Sequence, residues 1–413
     1  MPRRVAHPRL RTRFLIEFSS PIMTEPTSQP DAASTPPSDQ PDTGKAPVLE
    51  IAISTSPSFA ALLAQHRLSL LVSTYDAGKL IILRASGQSL NAHFVGFSRA
   101  MGVAVNPRKL AVGTKDRIHE LYNMPAVCPK LPQSGSESAR HDACYVPRHS
   151  HVTGMIDVHE MAWGGDQLWF VNTRFSCLCT LDPVYSFAPR WRPPFVKGLS
   201  ADDRCHLNGL AIVDDRPTYV TAFAVSDEPE GWRPHRTTGG ILMEVSSGEI
   251  MARGLSMPHS PRVYGNELLV LESGRGSLAR VDRRNGNLNT IAEFSGFTRG
   301  LDFWGNLAFV GLSQVRQKGT FDGLPLTDRL PEEERFCGIQ VLNLATGQLQ
   351  AFLNFDSGVH EIFAVQVLPG IQFPAILEDD DPLVPTSFAL SPEALAQVRW
   401  DSMDAPAKNA AAP

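Results

Sequence analysis

Apolar and polar positions alternate along most of this chain in short runs, and one arrangement recurs six times. A polar or basic residue is followed by two or three variable positions and then by a buried run. It reads Arg99-Ala-Met-Gly-Val-Ala-Val, Val158-His-Glu-Met-Ala-Trp, His206-Leu-Asn-Gly-Leu-Ala-Ile, His259-Ser-Pro-Arg-Val-Tyr, Phe297-Thr-Arg-Gly-Leu-Asp-Phe and Val359-His-Glu-Ile-Phe-Ala-Val. In most cases a turn and a second apolar alternation follow, as in Asp166-Gln-Leu-Trp-Phe-Val-Asn-Thr-Arg. Period-two alternation between turn residues predicts strands. Its recurrence at ~40–60 residues predicts an all-β, six-bladed β-propeller.

Two strand counts agree. Six phrases start inner strands, and six second strands match them: 69–73, 109–113, 167–172, 218–222, 267–271 and 306–311. The last inner strand, from His360, has no second strand after it, while the opening segment 69–97 holds three strands without an inner one. Joining one C-terminal strand to three N-terminal strands closes the ring and removes exposed sheet edges.

The pattern sets the expected boundaries. Residues 1–47 read as a disordered segment, rich in Pro, Ser, Thr and Asp from Met23 onward, with 1–22 as a mis-assigned start. The propeller occupies 48–370 and includes, near its start, a short helix with Ser56 as cap and Pro57 in its first turn. Residues 371–413 read as a tail with one short helix at Ser391-Pro-Glu-Ala-Leu. Segments 123–150, 183–204, 226–238 and 314–336 interrupt the repeat as long connections, which on rigid scaffolds often carry function.

Composition adds little to the choice of fold but excludes some functions. The 413 residues are 42% hydrophobic and 20% charged, an ordinary globular balance. A net charge of -5 gives no basic surface for a nucleic acid, and no apolar run approaches the ~20 residues of a membrane span. A soluble, cytoplasmic protein is expected, its six cysteines reduced and mostly buried. Cys177 and Cys179 on one strand place their thiols side by side.

In a propeller the inner strands begin around the mouth of the central channel. Aligned on Gly102, Met161, Gly209, Arg262, Gly300 and Ile362, the preceding column is Met101, Glu160, Asn208, Pro261, Arg299 and Glu361. Arg99, His206 and His259 stand three positions before the alignment point, and His159 and His360 fall between the columns. Strict alternation turns Glu160, Asn208, Glu361, His206 and His259 one way, with His159 and His360 supporting from behind; the opposite assignment for the two His-Glu pairs stays open. Converging imidazole and carboxylate groups suit a divalent metal ion, with Fe, Zn or Ca as candidates. The candidate ligands are His206, His259, His159, His360 and Asn208. Glu160 and Glu361 are the candidate acid–base residues. Arg99, Arg174, Arg262, Arg275, Arg299 and Arg316 are the candidate holders of an anionic or zwitterionic ligand. Ser260 beside His259 has no partner in sequence that would make it a triad.

The phrases Val158-His-Glu-Met-Ala, His206-Leu-Asn-Gly-Leu, Met257-Pro-His-Ser-Pro-Arg and Gly358-Val-His-Glu-Ile together resemble a bacterial family described only as a domain of unknown function, over about residues 50–370. That resemblance implies no reaction. The layout is more distantly similar to six-bladed propellers of the gluconolactonase and regucalcin type, which hold a divalent cation on the axis with Glu, Asn and Asp. Glu160, Asn208 and Glu361 match in part, and the histidines depart from the pattern. Two functions follow as expectations: a metal-dependent enzyme acting on a small polar or peptide-borne substrate, or a non-catalytic propeller binding a peptide or protein partner on its top face.

Overall fold

Inner and second strands are apolar on both faces because each is covered by a neighbouring blade. Leu68–Thr74 and Leu307–Ser313 are buried at every position, whereas the outer strand Leu288–Glu293 has no buried residue. The computed structural model describes residues 9–17, 48–132, 140–315 and 321–398. Among these, the strands form six antiparallel sheets around a ring, with one parallel addition. The protein is a six-bladed β-propeller.

Blade one runs through Val103–Val105, Lys109–Gly113, Arg117–Asn123 and Ala143–Val152. Blades two, three and four are regular four-stranded sheets starting at Val158–Gly164, Leu207–Val213 and Pro258–Tyr264. Blade five starts at Phe297–Trp304, and blade six joins Ile362–Pro369 to Leu68–Thr74, Lys79–Ser86 and Ser89–Gly96. The closure by one C-terminal and three N-terminal strands is therefore the one the strand counts require. Helix Ser58–His66 buries Phe59, Ala60 and Leu63 and packs against strands of blades five and six beside this seam.

Both ends differ from expectation. Leu10–Glu17, placed in the disordered segment 1–47, is a strand antiparallel to Val48–Thr55, which in turn extends blade five. Phe14 supplies the anchor, its ring 5.2 Å from Phe94. The proposed start at Met23 lies outside the described residues. At the other end, Pro374–Ile376 pairs in parallel with Ala143–Tyr145 and adds a fifth strand to blade one. The tail thus begins later than 371, because Phe373, Ala375, Ile376 and Leu377 are buried. Pro374 is tolerated because this is an edge strand. The helix at Pro392–Leu395 carries the expected Ser391 cap, whose Oγ accepts from the Ala394 N–H at 3.2 Å.

The long connections take regular structure where they can bury something. Segment 123–150 contains most of the outer strand of blade one, and 314–336 contains a short helix at Pro325–Arg329. Cys177 and Cys179 lie side by side as read, Sγ to Sγ 3.4 Å, and all six cysteines are free.

The blades touch most closely on the axis, where glycine follows the channel-facing position in blades one, three and five. A Cβ on Gly102 would overlap the His159 carbonyl. One on Gly209 would overlap the Thr221 hydroxyl and the Pro261 ring, and one on Gly300 would meet the Val365 backbone nitrogen. Hydroxyls at the ends of four second strands then tie their blades to the next. Ser73 donates to Met101, Thr173 to Leu207, Ser273 to Thr298 and Ser313 to Ile362, each to a backbone carbonyl. Substituting Gly209→Ala adds no backbone strain but forces Pro261 and Thr221 aside. It is expected to destabilise the propeller by about 1–3 kcal/mol, read as a lower midpoint in urea denaturation. An unchanged midpoint would mean that the blades have slack at the axis.

Candidate functional site

Four inner strands begin with a residue in the left-handed region: Arg99 (φ 53°), Asp157 (φ 51°), His206 (φ 50°) and Met257 (φ 44°). The carbonyl just before each of them accepts an N–H from the blade's own second loop: Ser98 from Lys115, Ile156 from Arg174, Cys205 from Ala224 and Ser256 from Gly274. This shared start fixes the true alignment. Two residues after each left-handed residue come Met101, His159, Asn208 and His259, and Arg299 takes the same place in blade five. The expected column held Glu160 and Pro261 instead of His159 and His259. The reason is physical. The register slips between Val158 and Met161, Leu207 and Gly209, His259 and Arg262, and Thr298 and Leu301, so side chains do not alternate there.

His159, Asn208, His259, Ser260 and Arg299 share the wall of one axial cavity with Glu160 and Phe363. Its volume is about 20 Å³, room for one water or ion. The two histidines are held identically. His159 Nδ1 lies 3.1 Å from the Asp157 carbonyl and 2.8 Å from Thr173 Oγ. His259 Nδ1 lies 3.0 Å from the Met257 carbonyl and 2.9 Å from Ser273 Oγ. Each hydroxyl gives its own proton to the next blade, so it must accept here, and so must the carbonyl. Both imidazoles therefore carry their proton on Nδ1 and present a bare Nε2 lone pair. Among the described residues no hydrogen bond reaches either Nε2. Asn208 repeats the same contact, its Nδ2 donating to the His206 carbonyl at 3.2 Å.

Charge in the cavity reinforces the neutral state. Burial first, then the nearby Arg299 and His206, push His159 and His259 well below the ordinary histidine value. Arg299 stacks 3.5 Å over the Phe363 ring and gives Nη1 to Glu361 at 3.1 Å. Burial lowers its pKa against the pull of Glu361, and burial raises that of Glu361 against Arg299. His206 stands at the edge, its ring 4.9 Å from His159 and stacked on Phe223 at 4.4 Å. Asp203 Oδ2 takes its Nδ1 at 2.7 Å and the Trp232 indole N–H at 2.9 Å. His206 Nε2, too, has no hydrogen-bond partner among the described residues.

The other expected site residues are placed as follows. Glu160 is paired with Arg262 and accepts the Leu210 N–H, while Arg262 also donates to the Leu301 and Leu210 carbonyls. That pair ties four blades together across the channel. His360 leans outward onto Asp76 at 3.1 Å. Arg275 is paired with Glu272 at 3.0 Å, Arg174 is exposed near Asp202 and Glu230, and Arg99 lies 5.6 Å from the Tyr75 ring. Arg316 lies outside the described residues. Sequence reasoning missed Thr173, Ser273 and Asp203. A signal for the first two existed: a hydroxyl residue stands fourteen positions after His159 and again after His259.

A metal fits this donor set poorly. Among the described residues no three His, Cys, Asp or Glu side chains are grouped to hold an ion, and the carboxylates nearest the axis are engaged by arginines. A larger cavity of about 400 Å³ lies between blades six and one, lined by Phe97, Lys115, Asp116, Arg117, His119 and Glu378. It is roomier, but its acids and bases pair locally, as in Arg117 with Asp116 at 3.0 Å. Among the described residues no helix is long and apolar enough to cross a membrane.

Fold and site together define a six-bladed propeller with a polar, imidazole-lined axis. The chain belongs to the family named Domain of unknown function (DUF4915), whose model matches residues 57–377. No curated protein matches it. Among solved structures it is similar to a chain of a nidogen/laminin complex, at 9% identity over 74% of this chain and 99% of that one, with a TM-score of 0.45. It is also similar to a Bacteroides caccae protein of unknown function, at 9% identity over 73% and 98%, TM-score 0.45. Virginiamycin B lyase from Staphylococcus aureus matches at 13% identity over 59% and 76%, TM-score 0.35. Likenesses this distant carry no argument about function.

The buried neutral imidazoles make stability depend on pH with a definite sign. Below the ordinary value of 6.5, the unfolded chain takes up protons on His159 and His259 that the folded chain refuses, so stability falls as pH drops. The double variant His159→Asn/His259→Asn keeps a side-chain N–H for the same carbonyls, as Asn208 does, but has nothing to protonate. Between pH 7.5 and 5.5 the wild type should lose about 2 kcal/mol more than this variant in urea denaturation. Equal losses would show that the two imidazoles are protonated in the folded state as readily as in the unfolded one.

Proposed function

We propose that the axial mouth is the active site of an enzyme acting on a small polar substrate that carries an anionic group. Arg299 holds the anion, and the imidazoles around the cavity accept and return a proton. The observation that carries this reading is the set of three unpartnered Nε2 atoms, on His159, His206 and His259. None of the three is among the described side-chain nitrogens and oxygens that are sealed from solvent without a partner, so each can be reached by water or a ligand. Arg299 points the same way: among the described residues its hydrogen bonding is confined to Nη1, which leaves Nε and Nη2 for a ligand.

A metal-dependent form of the enzyme, with Fe, Zn or Ca on the axis, is the narrower version of this proposal. A non-catalytic propeller binding a peptide or protein across this face is a second reading, favoured by the small size of the axial cavity. One experiment separates the three. Protein labelled at histidine and purified without chelator is analysed for metals, then titrated with acetate, malonate and phosphate by NMR at pH 7. The acid–base reading predicts saturable shifts at His159 and His259, weakened about tenfold, or ~1.4 kcal/mol, in Arg299→Ala. A transition metal or calcium near one equivalent, lost in His159→Ala/His259→Ala, would replace it with the metal-dependent form. No metal and no response to any anion would leave the binding scaffold as the better account.

A further inference from the structure

The cavity of about 400 Å³ between blades six and one is built from three stretches far apart in the chain. Residues 96–98 leave blade six, 114–117 lead from the second strand of blade one into its third, and 377–379 follow the edge strand Pro374–Ile376. Each stretch is pinned. Asp142 accepts the Gln372 and Phe373 N–H groups at 2.6 and 2.9 Å, Leu377 donates its N–H to the Tyr145 carbonyl at 3.0 Å, and the Glu378 carboxylate accepts the Gly96 N–H at 2.7 Å. The Lys115 N–H donates to the Ser98 carbonyl at 2.9 Å. The walls therefore stand without a ligand, at a volume in the range of small-molecule sites, about 300–1,000 Å³.

Phe97, Leu121, Pro147 and Leu377 give the cavity an apolar wall. Charges of both signs complete it. Arg117 commits Nε and Nη2 to Asp116, at 3.0 and 3.3 Å, and among the described residues no hydrogen bond engages its Nη1. Asp379, exposed on the strap, makes neither a hydrogen bond nor an ion pair among the described residues. Asp116 does most to raise the Arg117 pKa and Asp379 adds to it from a distance, yet no ion pair joins Arg117 to Asp379. Lys115 and Glu378 add one further charge of each sign. His119 senses both sides: burial lowers its pKa most, Asp379 raises it and Arg117 lowers it again. Its ring stands edge-on to Phe97 at 5.3 Å, and among the described residues neither ring nitrogen is hydrogen-bonded. An ion of one sign would leave the opposite charge beside it unmatched. A molecule with both charges and an apolar body answers every wall. We propose that this cavity binds a free amino acid with an apolar side chain. Its carboxylate meets Arg117 Nη1, its ammonium meets Asp379, and its side chain lies on the apolar wall. The site is separate from the axial cavity and does not rest on the axial reading.

The full chain, labelled at histidine, is titrated with L-leucine and L-phenylalanine at pH 7 and followed by NMR, with His119 assigned through His119→Gln. Saturable shifts are expected at His119 and none at His159 or His259. N-acetyl-L-leucine, which lacks the ammonium, and L-leucinamide, which lacks the carboxylate, should each bind about tenfold more weakly. Glycine, without the apolar body, should lose at least as much. Asp379→Asn should weaken L-leucine about tenfold; the residue is exposed, so the variant keeps the fold, which circular dichroism checks. No saturable response to either amino acid overturns the proposal. So does equal binding of N-acetyl-L-leucine, which would make the cavity an anion site, and so does unchanged binding in Asp379→Asn. Shifts at His159 and His259 in place of His119 would move the amino acid to the axis, supporting that site and overturning this one.

Discussion

Close approach of the blades at the axis is the constraint from which the rest of this structure follows. Six inner strands must converge without leaving a pore, and they do so because small and large positions alternate around the ring. Gly102, Gly209 and Gly300 each admit the chain of the following blade, at His159, Pro261 and Val365. The bulges that accompany them turn consecutive residues the same way, so more side chains reach the channel than a regular strand would send there. The outcome is an axis nearly full of polar groups, with a water-sized space among them.

Polar groups packed this tightly must either satisfy one another or serve a ligand. Most of them satisfy one another. Arg262 and Glu160 bind across four blades, Asp76 holds the start of the last inner strand, and the hydroxyls of Ser73, Thr173, Ser273 and Ser313 staple neighbours together. Among the described residues that line the cavity, the groups left without a hydrogen bond include the Nε2 atoms of His159 and His259, the Nε and Nη2 of Arg299 and the Ser260 hydroxyl. Desolvation keeps His159 and His259 neutral, and a neutral imidazole beside a fixed cation is ready to take a proton from a bound anion-bearing molecule. The functional reading rests on what the fold leaves unpaired.

Much of this was legible in the sequence. All six inner strands, all six second strands and the seam between Ile362–Pro369 and Leu68–Thr74 follow from two-residue alternation and counting. The elements that escaped are those with a weak pattern. Leu10–Glu17 is interrupted by arginines and is held by its pairing with Val48–Thr55; Pro374–Ile376 is three residues long and contains a proline. The site was legible as a neighbourhood and not as a register. His159, Asn208, His259 and Arg299 were all named, yet Glu160 was given the place of His159, because a bulge breaks the parity on which alternation depends. The left-handed starts that restore the alignment fall on Arg99, Asp157, His206 and Met257, and only Asp157 and His206 are types enriched in that region. Asp203 escaped because it stands in a loop outside the repeat.

The central claim is that His159 and His259 are held neutral, protonated on Nδ1, with Nε2 open to the cavity. The most direct measurement is the nitrogen NMR of their imidazole rings at pH 7, assigned through His159→Asn and His259→Asn. The account predicts a protonated Nδ1 and a bare Nε2 in both rings. A proton on Nε2, or on both nitrogens, in either ring would contradict it.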